Sequence, residues 1–177
     1  MLVNENLNTK NINLRSPTDF EFLEVAQISF ENFVLETAQS SGESVESLKE
    51  KFGGPPIKRS EKDFWFLVEV NNLRVGFVWF QIIEKENLAF GWDIYLEQGY
   101  RSKGIGRYVM KKCGEELLSK GIQSAKICVF EHNEIARKLY ESLGFVVEKF
   151  DEQRRQFTLK LDLDKLTNTG DYYVVSN

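Results

Sequence analysis

The chain has 177 residues, 42% of them hydrophobic and 28% charged, which suffices for one well-packed core and leaves little for a second domain. A net charge of -4 excludes a surface that acts as a whole as a footprint for nucleic acid or anionic membrane, so any polyanion must bind at a local patch. The opening MLVNENLNTK lacks the basic start and apolar core of a signal peptide. The longest apolar run, residues 75–83, is broken by Gln81 and is far shorter than a membrane span, so the sequence reads as soluble and cytoplasmic, with no membrane partner. Two cysteines, Cys113 and Cys128, and a single histidine make neither a disulfide scaffold nor a zinc site, and no metal is expected.

In chain order, residues 11–15 predict a short strand. Ser16-Pro17-Thr18 reads as a helix start with Pro17 in the first turn and Asp19, Glu21 and Glu24 following. Phe22, Leu23, Val25, Ala26, Ile28, Ser29 and Phe33 give that helix a broad apolar face. Residues 44–52 predict a second, shorter helix, stopped by Gly53-Gly54-Pro55-Pro56. The period then changes. Residues 64–70, 74–83 and 88–96 are rich in aromatic and branched side chains with turn chemistry between them, which predicts an antiparallel meander. A helix over 104–119 follows, with Ile105, Tyr108 or Val109, Cys113 and Leu117 at helical spacing and Lys120-Gly121 as its stop. After a strand at 125–130, Asn133 is placed to cap a helix over 134–143 whose buried stripe is Ala136, Leu139, Tyr140 and Leu143, ended by Gly144. Strands at 145–150 and 156–161 close the series. The order describes one α/β (α+β) domain with a mixed, mostly antiparallel sheet and helices on both faces. The tail after 161 is polar until Tyr172-Tyr173-Val174-Val175, which the pattern does not place.

The stretch YRSKGIGRYVM joins the meander to the third helix. Gly104 and Gly106 carry no Cβ, so backbone can approach a ligand there, and the amides that open a helix lack internal partners and sit at its positive end. Between Gly99 and Gly114 the charged residues are Arg101, Lys103, Arg107, Lys111 and Lys112, with no acid. A phosphate-rich ligand fits this patch, and a tight packing turn with a solvated lysine face fits the spacing as well. A Walker A loop is absent, and a dinucleotide fingerprint would require glycine where Val109 stands.

Arg101-Ser102-Lys103-Gly104-Ile105-Gly106 matches the Arg/Gln-x-x-Gly-x-Gly/Ala signature of the GNAT family of N-acetyltransferases. The segment from Asn133 to Phe145 resembles the second motif of that family. The two occur in the family's order, and the resemblance is strongest over residues 88–145. It implies a flexible N-terminus at 1–10, an N-acetyltransferase domain at 11–161 and a C-terminal extension at 162–177. It further implies acetyl-coenzyme A as co-substrate, its pyrophosphate on the amides of Arg101, Ser102, Lys103, Gly104, Ile105, Gly106 and Arg107. The pantetheine arm would lie along the main chain of Ile94 and Leu96, where the fourth strand parts from the fifth. Asn133 would hydrogen-bond near that arm, although a helix cap explains it equally, and Arg137 or Lys138 would reach the adenosine phosphate.

The resemblance places the Tyr140 hydroxyl beside the thioester sulfur, where a phenol that stays protonated at neutral pH can donate to the departing thiolate. A core tyrosine is the plainer reading of the same stripe. The acceptor needs a base, because an alkyl ammonium of pKa about 10.4 is neutral in fewer than about one part in 10³ at pH 7. Cys128 occupies the middle of the fifth strand, which leaves Asp93, a carboxylate inside a strand pattern, and His132 as candidates. The acceptor implied is a primary amine of a small molecule or peptide, and Glu31, Glu36, Glu43, Glu46 and Glu50 offer either an acidic rim for a cationic amine or solvated helix faces. The alternative is a non-catalytic acyl-coenzyme A sensor or scaffold. An edge strand near the carboxyl end leaves room for a homodimer.

Overall fold

A computed structural model of the chain describes residues 11–168. The expected flexible N-terminus and the Tyr172–Val175 cluster lie outside the described residues. The elements are β1 (Ile12–Arg15), α1 (Asp19–Ser41), α2 (Val45–Phe52), β2 (Asp63–Val70), β3 (Leu73–Ile83), β4 (Leu88–Leu96), α3 (Ile105–Ser119), β5 (Ser124–Phe130), α4 (Glu134–Ser142), β6 (Val146–Asp151), β7 (Gln156–Asp162) and α5 (Leu163–Asn168). All strands join one sheet in the order β1-β2-β3-β4-β5-β7-β6. Every neighbouring pair is antiparallel except β4 and β5, which are parallel and joined through α3. The mixed, mostly antiparallel sheet with helices on both faces is the fold that the sequence predicts.

Alternation along the strands builds a core on each face. Trp65 and Leu67 of β2 and Phe77 of β3 point to one face, where Phe22, Val25 and Ala26 of α1 cover them. Val68, Val78, Phe80, Ile127, Val129 and Leu159 point to the other, beneath Ile105, Val109 and Cys113 of α3 and Tyr140 and Leu143 of α4. The cap of α1 is Thr18, so Pro17 lies just outside the helix rather than in its first turn. Thr18 Oγ1 accepts from the Glu21 amide, and the Glu21 carboxylate accepts from the Thr18 amide. Arg15 then bridges Glu21 and Glu69, fastening the edge strand β1 to both α1 and β2.

Leu23 and Phe33, which the sequence assigns to the buried face of α1, are about half exposed, and Val34 is buried instead. The packed unit also continues past Leu161. Leu163 and Leu166 of α5 are buried in the same core as α3, and a Cβ on Gly114 would stand 2.6 Å from Leu166 Cδ2, so α3 carries a glycine where α5 crosses it. Truncating Leu166 to alanine should cost about 2–5 kcal/mol in denaturant unfolding, whereas Ile135→Ala, on the exposed face of α4, should change stability by less than about 0.5 kcal/mol. Equal, small effects would show that α5 is not part of the cooperative core.

Candidate active site

The site begins where two strands stop pairing. β4 and β5 are in register from Leu88↔Ser124 to Gly91↔Ile127, and no further. A Cβ on Gly91 would meet Ile127 Cγ2 at 2.6 Å, so only glycine allows the last paired position. Immediately beyond it the β3 partners jump from Gly91 to Asp93, and Trp92 is the extra residue of a bulge. The outer edge of β4 is therefore open. Glu97 N–H donates to Val75 O on β3, so by alternation the N–H and C=O groups of Leu96 and Ile94 face away from β3, into the splay.

The glycine loop lies at the wide end of that splay, after a turn of 3₁₀ helix, Gln98–Tyr100. Gly104 caps α3 in the left-handed region, at φ 81°, with open space around its Cα. The amides of residues 102–107 have no acceptor among the described residues, and the first bond into α3 is Tyr108 N–H to Gly104 O. Gly106 has a packing reason besides: a Cβ there would stand 3.1 Å from Leu139 Cδ2 of α4. Two basic side chains of the loop turn inward. Arg101 Nε donates to Leu96 O at 2.7 Å with its guanidinium over Tyr95, and Arg107 donates to Ser142 Oγ at 2.7 Å.

At the narrow end the groups are acidic and hydroxylic. Ser29 Oγ of α1 donates to Asp93 Oδ2 at 2.6 Å. Burial pushes the Asp93 carboxyl up to about 6; Ser29 and the Ile94 amide pull it down, and the charge of Glu36 pushes it further up. The residue keeps some solvent contact through the splay, so water can reach it. Tyr140, only 7% exposed, is held above the usual phenol value by burial and by the negative charge of Asp93, and it stays protonated across the neutral range. Its ring packs on Phe145 at 5.7 Å, and its hydroxyl has no hydrogen-bond partner among the described residues. His132 stacks on Phe130 and bonds Glu36 Oε2 through Nε2 at 2.8 Å, so it joins α1 to the end of β5. Asn133 caps α4, its Oδ1 accepting from Ala136 N–H at 3.2 Å.

The splayed strands, the unpaired amides at the head of α3 and the capped α4 match one known family. Residues 24–145 match the Acetyltransferase (GNAT) family. The chain belongs to that family. Among curated GNAT proteins it is 33% identical over 91 residues to the uncharacterized N-acetyltransferase YycN of Bacillus subtilis, covering 50% of this chain and 52% of that one. It is 40% identical over 52 residues to the thialysine N-epsilon-acetyltransferase of Bos taurus, covering 29% and 31%. The match spans about half or less of the length of these two relatives. In fold it is similar to spermidine N-acetyltransferase from Vibrio cholerae in complex with CoA and spermine, with TM-score 0.62, 20% identity and coverage of 90% and 99%. It is equally similar to PaiA N-acetyltransferase from Thermoplasma acidophilum in complex with coenzyme A, with TM-score 0.62, 19% identity and coverage of 85% and 98%.

The structure puts Tyr140 within reach of the charge of Asp93, ties His132 to Glu36, makes Asn133 the cap of α4, and sets Arg101, Ser102, Lys103, Gly104, Ile105, Gly106 and Arg107 between the end of β4 and the first turn of α3. It does not bring Arg137 to the loop. Leu139 and Ser142 form the side of α4 that meets α3, and Arg137 points elsewhere, over Phe157 at 5.3 Å and beside Glu141. Cys128 is half-buried, with Sγ 3.7 Å from Thr158 Oγ1, and Cys113 is buried. Sequence reasoning missed Ser29 as a site residue, having assigned it to the apolar face of α1, and passed over Trp92. The signal for Trp92 was an isolated glycine inside a strand pattern, which marks a bulge.

Because Asp93 titrates near 6 folded and near 3.8 unfolded, the native state holds a proton between those values that the unfolded chain has released. Stability therefore falls as pH rises through about 4 to 6 and stays reduced above. Asp93→Asn should raise Tm relative to the parent at pH 8 and by clearly less at pH 4, measured by calorimetry. A pH-independent difference would mean that the carboxyl is not shifted.

Proposed function

We propose that the protein is an acetyl-coenzyme A-dependent N-acetyltransferase that moves the acetyl group directly onto a primary amine of a small molecule or peptide. The observation that carries this reading is the junction of two features in one cleft: unpaired amides at the head of α3, and a strand edge opened beside an acid and a protonated phenol. The residues present fit coenzyme A. Free amides at residues 102–107 suit a pyrophosphate, and the outward main chain of Ile94 and Leu96 suits an extended amide-bearing arm. In this structure Arg101 Nε donates to the Leu96 carbonyl, so that side chain would yield it to the arm. Acetyl-coenzyme A supplies an acyl carbon activated as a thioester.

Asp93 accepts a proton from the amine, directly or through water, as the nitrogen forms its bond to the acyl carbon. Tyr140 supplies a proton to the sulfur as the carbon–sulfur bond breaks. Thiols ionise near pH 8.5, so the thiolate is a tolerable leaving group and the phenol contributes about 10² to 10⁴ in rate, positioning of amine and thioester contributing the larger share. His132 is less suited to the base role, since its Nε2 is held by Glu36. Asp93, with no cationic partner among the described residues, favours a cationic amine. No described helix is long and apolar enough to cross a membrane, and a cytoplasmic setting is part of the proposal.

Thiol release with a panel of amines tests the reading. Tyr140→Phe should lower kcat by about 10² or more and leave coenzyme A affinity nearly intact by calorimetry. A base that works only when ionised makes kcat/KM fall as pH drops through about 6, the Asp93 value, and Asp93→Asn should abolish that limb. Normal turnover by Tyr140→Phe would remove the phenol from the chemistry. Coenzyme A binding without turnover on any amine would instead support an acyl-coenzyme A sensor.

A further inference from the structure

The bulge at the end of the β4–β5 pairing delivers two consecutive residues to the same face of the sheet. Asp93 meets Ser29 of α1 there. Trp92 stacks on Trp79 at 5.3 Å and meets Phe90 edge to face at 4.8 Å, and Trp79 in turn stacks on Trp65 at 4.4 Å, within the α1-covered cluster. The indoles thus form a staircase across three strands. Trp65 is 4% exposed, and Trp92, the last step, is 52% exposed. The support beneath it is fixed: Trp79 Nε1 donates to Asp63 Oδ1 at 3.2 Å, and Gln81 bonds the same oxygen. The Trp92 N–H has no acceptor among the described residues. A large ring is held rigidly from below, its outer surface open, beside a carboxylate.

The carboxylate next in sequence to this ring has no cationic partner among the described residues. Lys126, beside Phe90 in the β4–β5 register, is paired with Glu148 at 2.8 Å, and His132 is bonded to Glu36. Asp93 has the Ser29 hydroxyl as its hydrogen-bond partner and no cation among the described residues, and the charge of Glu36 is felt at Asp93. An indole face beside unneutralised carboxylate attracts a cation by its quadrupole as well as by Coulomb attraction, and tryptophan is the strongest of the aromatic side chains in this respect.

We propose that Trp92 is a specificity-determining residue that binds a second cationic centre of the acceptor, about 5–7 Å from the reacting nitrogen, the reach of an indole on the residue next to Asp93. This rests on the acetyl-transfer reading for what happens to the first nitrogen, and not for the binding itself. Acceptors with two positive charges at that spacing are selected over neutral-tailed amines of equal length.

The test compares n-butylamine with butane-1,4-diamine as acceptors for the parent chain, Trp92→Leu and Trp92→Phe. The indole N–H resonances are followed by NMR as the diamine is added without co-substrate. The parent should prefer the diamine, and Trp92→Leu should lower kcat/KM for it about tenfold, through KM, with butylamine changed less than about twofold. Trp92→Phe should retain part of the preference. One indole resonance, absent from both variants, should shift with the diamine. An equal effect of Trp92→Leu on both amines, or no preference in the parent, overturns the proposal. If the parent acetylates neither amine, the diamine-induced shift of that resonance decides alone: its presence upholds the subsite, and its absence overturns it.

Discussion

The site depends on one termination: β4 and β5 stop pairing at Gly91 and Ile127. Parallel neighbours in the middle of a sheet ordinarily stay hydrogen-bonded to their ends, because an unpaired N–H or C=O away from water costs free energy. Here the contact between Ile127 and the bare Cα of Gly91 is the last that fits, and the bulge at Trp92 turns β4 away. One of the liberated groups has a side-chain partner: Arg101 reaches back to the Leu96 carbonyl. Side-chain partners of this kind can exchange with an incoming extended chain at little net cost, which a permanent strand partner could not.

The same termination separates two electrostatic regimes along one strand edge. Cationic side chains and unpaired amides gather at the loop end, where the helix dipole adds positive potential. The other end holds Asp93, Glu36 and the un-ionised Tyr140. A substrate with an anionic handle and a reactive terminus is oriented by that polarity alone, the handle toward residues 102–107 and the terminus toward Asp93. Positive potential near Asp93 would have lowered its carboxyl and stripped it of basicity. Placing the cations at the far end avoids that.

Much of the fold was legible because its punctuation is local. Thr18, Ser44 and Asn133 cap helices that begin at the next residue, glycines follow α1 and α2, and the turn residues between strands stand where the meander turns. The loop motif and Asn133 were likewise local and were found. What escaped was non-local. Ser29 meets Asp93 across 64 positions, and Glu36 meets His132 across 96, which no periodicity encodes. Leu163 and Leu166 read as part of a polar tail because one short helix with two apolar residues has no visible amphipathic repeat, yet Gly114 was shaped to receive them.

The two displaced titrations are coupled in a way that bears on the chemistry. Burial moves both carboxyl and phenol toward their neutral forms, but the first moves into the range where it can gain and lose a proton near neutrality and the second moves out of it. The ionised Asp93 raises Tyr140, so the state in which the carboxylate is ready to accept a proton is also the state in which the phenol most firmly keeps one. When Asp93 takes up a proton its charge disappears from the cleft, and the phenol becomes a better donor. In the proposed reaction, proton uptake at the amine and proton delivery at the sulfur are therefore linked in the favourable order through a single Coulomb interaction, without a hydrogen bond between the two residues.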